Sequence, residues 1–229
     1  MKYIYKYIIV IILFLIFSAS SYSKVNYLGA INIHSQYIFR DSDIGDNLPV
    51  IKTEFSIIPD KPNIWCNTIF TRSLSKTNFQ EFKIMLGYTK YFNNLHELEF
   101  RTIYSNYPSM DFNSAYNIYL KYSYGLKIPI SIDANHNFKN DGLYSSISSS
   151  FSFDIYLPWI IETSLGYNFN SYEQFNLLFD RGLSDFNTTF LTYIEFNKIN
   201  FEPSITLIFP FTDNHKPEIV FSLYLDYIF

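Results

Sequence analysis

Residues 218–229 read Glu218-Ile219-Val220-Phe221-Ser222-Leu223-Tyr224-Leu225-Asp226-Tyr227-Ile228-Phe229. Every second residue back from the end is apolar or aromatic (Phe229, Tyr227, Leu225, Leu223, Phe221, Ile219), while Asp226, Tyr224 and Ser222 take alternate positions. Period two marks a strand, because successive side chains of an extended backbone point to opposite faces. A strand this apolar on one face must pair sideways with others to satisfy its backbone groups.

The alternation recurs upstream. Within 25–40, Tyr27, Ile31, Ile33, Tyr37 and Phe39 share one face, and Asn26, Asn32, His34, Gln36 and Arg40 the other. Phe55 and Ile57 oppose Lys52 and Glu54; Phe82, Ile84 and Leu86 oppose Glu81 and Lys83; Leu98 and Phe100 oppose Glu97, Glu99 and Arg101. Further segments follow the rule around Ile118 and Leu120, Ile130 and Ile132, Phe151 and Phe153, Ile161 and Leu165, Phe190 and Ile194, and Ile205 and Leu207. Residues 64–73 alternate poorly and are placed as a strand by spacing alone. The expected fold is all-β: a closed antiparallel up-and-down transmembrane β-barrel of about twelve strands, each needing roughly 9–11 residues to cross a bilayer. Short connections at 60–63, 93–94, 125–127, 157–158 and 198–200 alternate with longer polar ones at 41–47, 74–78, 106–114, 138–142, 171–185 and 212–216. Outer-membrane barrels have this asymmetry, with short periplasmic turns and longer outer loops.

Residues 1–23 carry Lys2 and Lys6, a short apolar run from Ile8 to Phe17, and small residues before Ser23. That is the layout of a secretory signal peptide, with cleavage expected after Ser23 or Ser21 and residues 24–229 forming the barrel. Removing it takes Lys+Arg from 17 to 15 against 21 Asp+Glu, a net charge of −6. This balance argues against nucleic acid as a partner. Aromatic residues make up 21% of the chain, enough for girdles at two membrane interfaces. With Cys66 the only cysteine, no internal disulfide can form.

In a barrel surrounded by lipid, charged side chains belong inside. The expected pore-lining set is His34, Arg40, Lys52, Glu54, Lys83, Glu97, Glu99, Arg101, Lys121, Asp133, Asp154, Glu162, Glu195, Glu202 and Asp226. Acids exceed bases in it, which favours small cations if the lumen conducts, because fixed carboxylates lower the barrier for positive ions. Arg101 with Glu97 or Glu99 is a candidate ion pair closing part of the lumen.

The terminal aromatic with alternating neighbours resembles the C-terminal signal of outer-membrane barrels, and that resemblance assigns Tyr227 and Phe229 to recognition by the barrel-insertion machinery. Ser35-Gln36-Tyr37-Ile38-Phe39-Arg40, followed by a polar loop and Pro49, resembles the start of the TorF-like porins. Asp41 stands where that family usually has glycine. The resemblance implies a channel in the cell outer membrane for passive diffusion of small solutes or ions, with outer-membrane lipid around it and no cofactor.

Two other functions compete. A lipid hydrolase would need a Ser–His pair; His136 with Ser145 or Ser149 is the best candidate, and no Gly-x-Ser-x-Gly pattern accompanies it. No catalytic residue is assigned and the chain is not expected to be an enzyme. No metal site is expected either: His34 lacks clustered Cys or His, and His96 and His215 fall near strand ends or in loops. A structural or adhesive barrel would act through its outer loops. Of these, 171–185, with Phe175, Leu177, Leu178 and Phe179, is apolar enough to fold into the mouth as a constriction.

Overall fold

The computed structural model describes residues 25–39, 42–43, 48–59, 63–74, 79–108, 114–125, 127–174, 177–211 and 216–228. The expected signal peptide, Arg40, His215, Phe175 and Phe229 lie outside these residues. Twelve barrel strands follow in chain order: β1 Val25–His34, β2 Val50–Pro59, β3 Ile64–Ser73, β4 Gln80–Asn93, β5 His96–Asn106, β6 Ser114–Tyr124, β7 Ile130–Asn137, β8 Gly142–Ile155, β9 Leu157–Asn168, β10 Gly182–Thr192, β11 Ile199–Pro210 and β12 Glu218–Ile228. Each pairs antiparallel with its sequence neighbour, and β10 resumes after Tyr193 as Ile194–Phe196 against β11.

The last strand closes the ring, as its pattern requires: Leu28↔Ile228 through His34↔Ser222 join β12 to β1. Closure removes the two free sheet edges, so over the paired registers the strand backbones satisfy one another's amides within hydrocarbon. Burial is inverted relative to a soluble protein. Phe221 is 57% and Ile219 54% exposed on the outside, while Glu81 and Asp185 are 0% exposed within. Among the described residues of the twelve barrel strands only Arg72 and Lys90 carry an Asp, Glu, Lys or Arg charge outward, each near a strand end. Their position matches the depth dependence of such charges, which cost about 2–4 kcal/mol at the bilayer midplane for Lys or Arg and little at its edges.

Several expected boundaries move. The 157–158 corner is a turn at Tyr156, with φ 63°, and Leu157 and Pro158 already belong to β9. The 198–200 turn is at Asn197 and Lys198, Asn197 adopting φ 58°. β1 ends at His34, so the expected outward position of Tyr37 is wrong: the chain bends at Ser35 and Gln36, parity is lost, and Tyr37 is 5% exposed. β10 starts at Gly182, shortening the 171–185 connection to 169–181.

The poor alternation of β3 has a structural cause. Its inward residues include Ile69, beside Lys83, and Trp65, which lies across the inner wall at Gly87, its register partner. A Cβ on Gly87 would overlap the indole, so only glycine fits. Trp65 Nε1 donates to Thr89 Oγ1 at 3.2 Å, which satisfies its one polar atom.

Candidate functional site: the barrel lumen

Two stretches of wall differ in chemistry. Over β4 to β8 the inner face is crowded and charge-paired. Arg101 grips Glu99 with two bonds, Nε to Oε1 at 2.5 Å and a second guanidinium nitrogen to Oε2 at 2.7 Å. The same guanidinium lies 4.5 Å over the Tyr119 ring and 5.4 Å over Trp65. Register places Glu99, Lys121 and Asp133 side by side on three strands, and Ser146 Oγ donates to Asp133 Oδ2 at 2.6 Å. Opposite charges on neighbouring strands reinforce the pairing. This wall holds the expected Arg101–Glu99 pair.

From β8 round to β12 and β1 the inner wall is hydroxyl-rich. Ser148, Ser150, Ser164, Asn187, Thr189 and Glu162, with Lys121 and Ser131 from β6 and β7 at its far side, border a cavity of about 280 Å³. Asn32, His34, Lys52, Glu202, Thr206, Ser222 and Tyr224 border a second of about 240 Å³, which reaches Gln36, Tyr37 and Ile38 at the rim. The two adjoin where Thr189 and Thr206, one from each lining, share a hydrogen bond of 2.9 Å. Small side chains leave the open volume against this wall; the paired arginine and aromatic groups fill the other.

Two segments of the long-loop rim fold inward. Tyr37 donates to Glu81 Oε2 at 2.7 Å, and Glu81 Oε1 accepts from Lys83 Nζ at 2.9 Å. Lys83 also donates to the Tyr37 oxygen at 3.3 Å, and Lys52 Nζ sits 5.3 Å from the centre of the Tyr37 ring. Phe79 packs against Tyr37 with its ring tilted by 36° and centred 4.8 Å away, and Val50, Tyr107 and Ala115 complete an apolar cluster around it. Across the mouth, Tyr172–Gln174 pairs with Leu177–Phe179 as a small ribbon. Its Tyr172 and Phe179 rings stack at 5.0 Å, and Tyr172 lies on Gly142, where a Cβ would come within 2.8 Å of the ring. Gln174 Oε1 accepts from Asn140 at 3.2 Å and from the inward-facing Asn137 at 3.4 Å. The ribbon thus covers the lumen side of β7 to β9.

Strand parity puts His34, Lys52, Glu54, Lys83, Glu97, Glu99, Arg101, Lys121, Asp133, Asp154, Glu162, Glu195, Glu202 and Asp226 on the inner face. Asp154 and Glu195 stand apart at the short-turn end. Tyr227 points outward at the end of β12, 38% exposed. Glu81, Asp185 and Glu218 belong on the same face and were missed. Parity already set Glu81 beside Lys83 and would have found Glu218; Asp185 was hidden by its assignment to a loop. The expected Ser–His site does not assemble. Ser145 Oγ donates to the Asp133 carbonyl at 2.5 Å, and His136 faces outward with its ring edge-on to Phe138. Ser149 pairs with Ile130, six residues along β7 from His136, about 20 Å away at 3.3 Å per residue. A different pair does form inside: His34 Nδ1 and Ser222 Oγ are 2.7 Å apart.

A closed twelve-stranded antiparallel barrel with an apolar exterior and a polar interior defines a transmembrane barrel of the outer-membrane type. Solved structures with this fold include a KdgM porin, with TM-score 0.61 and 11% identity over 87% of this chain and 98% of that one. A NanC porin aligns with TM-score 0.51 and 8% identity over 90% and 98% of the two chains. LpxR from Salmonella typhimurium aligns with TM-score 0.57 and 7% identity over 88% and 100%. At such identities the likeness is one of fold. No protein-family model matches the chain, and no curated protein matches it in sequence.

Proposed function

We propose that this chain is a channel of the outer membrane for passive diffusion of small polar solutes, with a preference for cations over anions. The observation that carries this is the pair of adjoining cavities along the hydroxyl wall, bordered by Glu162 on one side of the Thr189–Thr206 contact and Glu202 on the other. Hydroxyls replace part of a solute's hydration, and the acids Glu162, Glu202 and Asp226 outnumber Lys121 and Lys52, the lysines that share the two cavities, which favours positive charge. Arg101, Lys83 and their acids act as wall structure, since each is tied to a neighbour. The expected lining set is therefore narrowed: Glu162, Glu202 and Asp226 carry the selectivity.

Residues 35–40 and the overall strand layout support a place among the TorF-like porins. The signal sequence and the Tyr227–Phe229 ending support export and delivery to the barrel-insertion machinery, with both termini periplasmic and the long-loop rim outermost. A non-enzymatic role is supported by the state of His34. Its Nε2 is buried without a partner among the described residues, so no third group orients the ring as nucleophilic catalysis requires.

The test is a planar-bilayer recording of the refolded protein in a potassium chloride gradient. The reversal potential should indicate cation preference, and Glu162→Gln with Glu202→Gln should move it toward zero. An anion-selective or unaltered potential would overturn the assignment of these two carboxylates, and silence in every recording would overturn the channel itself.

A further inference from the structure

The 240 Å³ cavity carries opposite charges at its two ends. Lys52, Asn32, Tyr224 and Glu202 are successive register partners on β2, β1, β12 and β11, so they form one row across the inner wall. Three strand spacings separate the lysine from the glutamate, about 14 Å between backbones and less across the curved wall. Both side chains reach into the same cavity. Neither has an oppositely charged partner within 4.0 Å among the described residues; Glu81 is committed to Lys83 and Tyr37, and Asp226 accepts from Asn200 at 2.9 Å. Glu54, two residues along β2 from Lys52, is the nearest inward acid on that strand.

Between the two charges the lining is neutral and hydrogen-bonding. Two of its atoms are left over: Asn32 Oδ1 and His34 Nε2 are buried without partners among the described residues. Buried polar atoms are nearly always satisfied, so unpaired ones in a cavity wall point to something that completes them. The volume corresponds to about eight waters at roughly 30 Å³ each, enough for one small solute.

We propose that this cavity is a binding subsite for a zwitterionic solute of the α-amino-acid class, its carboxylate toward Lys52, its ammonium toward Glu202 and its polar side chain toward Asn32 and His34. A pure cation would leave Lys52 uncompensated, and a pure anion would meet Glu202, with Asp226 and Glu54 behind it. A neutral polyol would satisfy the leftover atoms and neither charge. The subsite rests on the channel reading only for how the solute arrives.

Calorimetry on the refolded barrel in detergent tests it with L-glutamine, L-glutamine methyl ester and N-acetyl-L-glutamine as probes. The zwitterion should bind in the millimolar range or better, and each blocked form about tenfold or more weakly, since each loses a charge-assisted contact. Lys52→Met should bring the ester level with glutamine, and Glu202→Gln should do the same for the N-acetyl form. Equal binding of the three probes to the unaltered protein, or no binding of glutamine, overturns the proposal without reliance on any variant. Binding in this order by a barrel that does not conduct would retain the subsite and reject the channel; a conducting barrel with no order among the probes would do the reverse.

Discussion

Replacing Tyr37 with phenylalanine should loosen the rim. The ring would still pack against Phe79 and lie beneath Lys52, but the hydroxyl that bridges Glu81 and Lys83 would be gone. A hydrogen bond to a charged group contributes about 1.5–3 kcal/mol, and here the carboxylate is wholly buried, so water cannot readily replace the lost donor. At 1.4 kcal/mol per tenfold, the ratio of undocked to docked segment should rise about 10- to 150-fold. Single-channel recording reads this as longer occupancy of a higher-conductance level, and limited trypsin digestion reads it as faster cleavage at Arg40. The ring itself should not undock in mild alkali. Burial, and then the Glu81 carboxylate, raise the Tyr37 phenol well above its ordinary value. The contact is therefore fully present below about pH 10 and lost only as pH climbs through the higher folded value. Unchanged conductance levels and digestion rates in Tyr37→Phe, or opening of the unaltered barrel between pH 7 and 9, would refute the latch.

Other consequences are separable from it. Deleting 173–178 should raise conductance while heat-modifiable migration on gels stays intact, because the ribbon covers the lumen side of β7 to β9 without joining the ring. Gly87→Ala should destabilise the barrel by about 1–3 kcal/mol in urea titrations from lipid vesicles, as overpacking does, and Trp65→Leu in the same chain should recover most of the loss. Leu223→Lys, on the outer face near the middle of β12, should cost about 2–4 kcal/mol in that assay, whereas Tyr224→Lys, one residue on and facing Glu202, should cost far less. The unaltered protein should release no fatty acid on incubation with vesicles; release that Ser222→Ala abolishes would make the His34 contact catalytic.

Most of the ring was readable from alternation, because lipid outside and water inside impose the same two-residue period on nearly every strand. The final strand, 218–228, and the serine-rich β8 show it most plainly. Alternation failed where the inside is packed with side chains instead of water. β3 puts Trp65 inward because Gly87 opposite makes room, and parity alone cannot see a partner on the next strand. Tyr37 was misplaced for a related reason: period two extrapolates only while the backbone stays extended, and two residues of bend reverse the face. The latch itself joins residues 44 apart in sequence, so no local pattern announces it. Among the candidate site residues, parity assigns the charges to a face and cannot tell paired ones from unpaired. That distinction between Arg101 and Glu202 depends on which neighbours reach them.

Strands in such barrels lean by about 35–45° from the membrane normal. The sideways sequence Lys52, Asn32, Tyr224, Glu202 is consequently a slope, not a horizontal hoop. A solute moving along it meets opposite charges at the two ends of a neutral stretch. Discrimination of that kind depends on the order and spacing of a passenger's own charges along its length, which a circular collar of identical groups cannot sense.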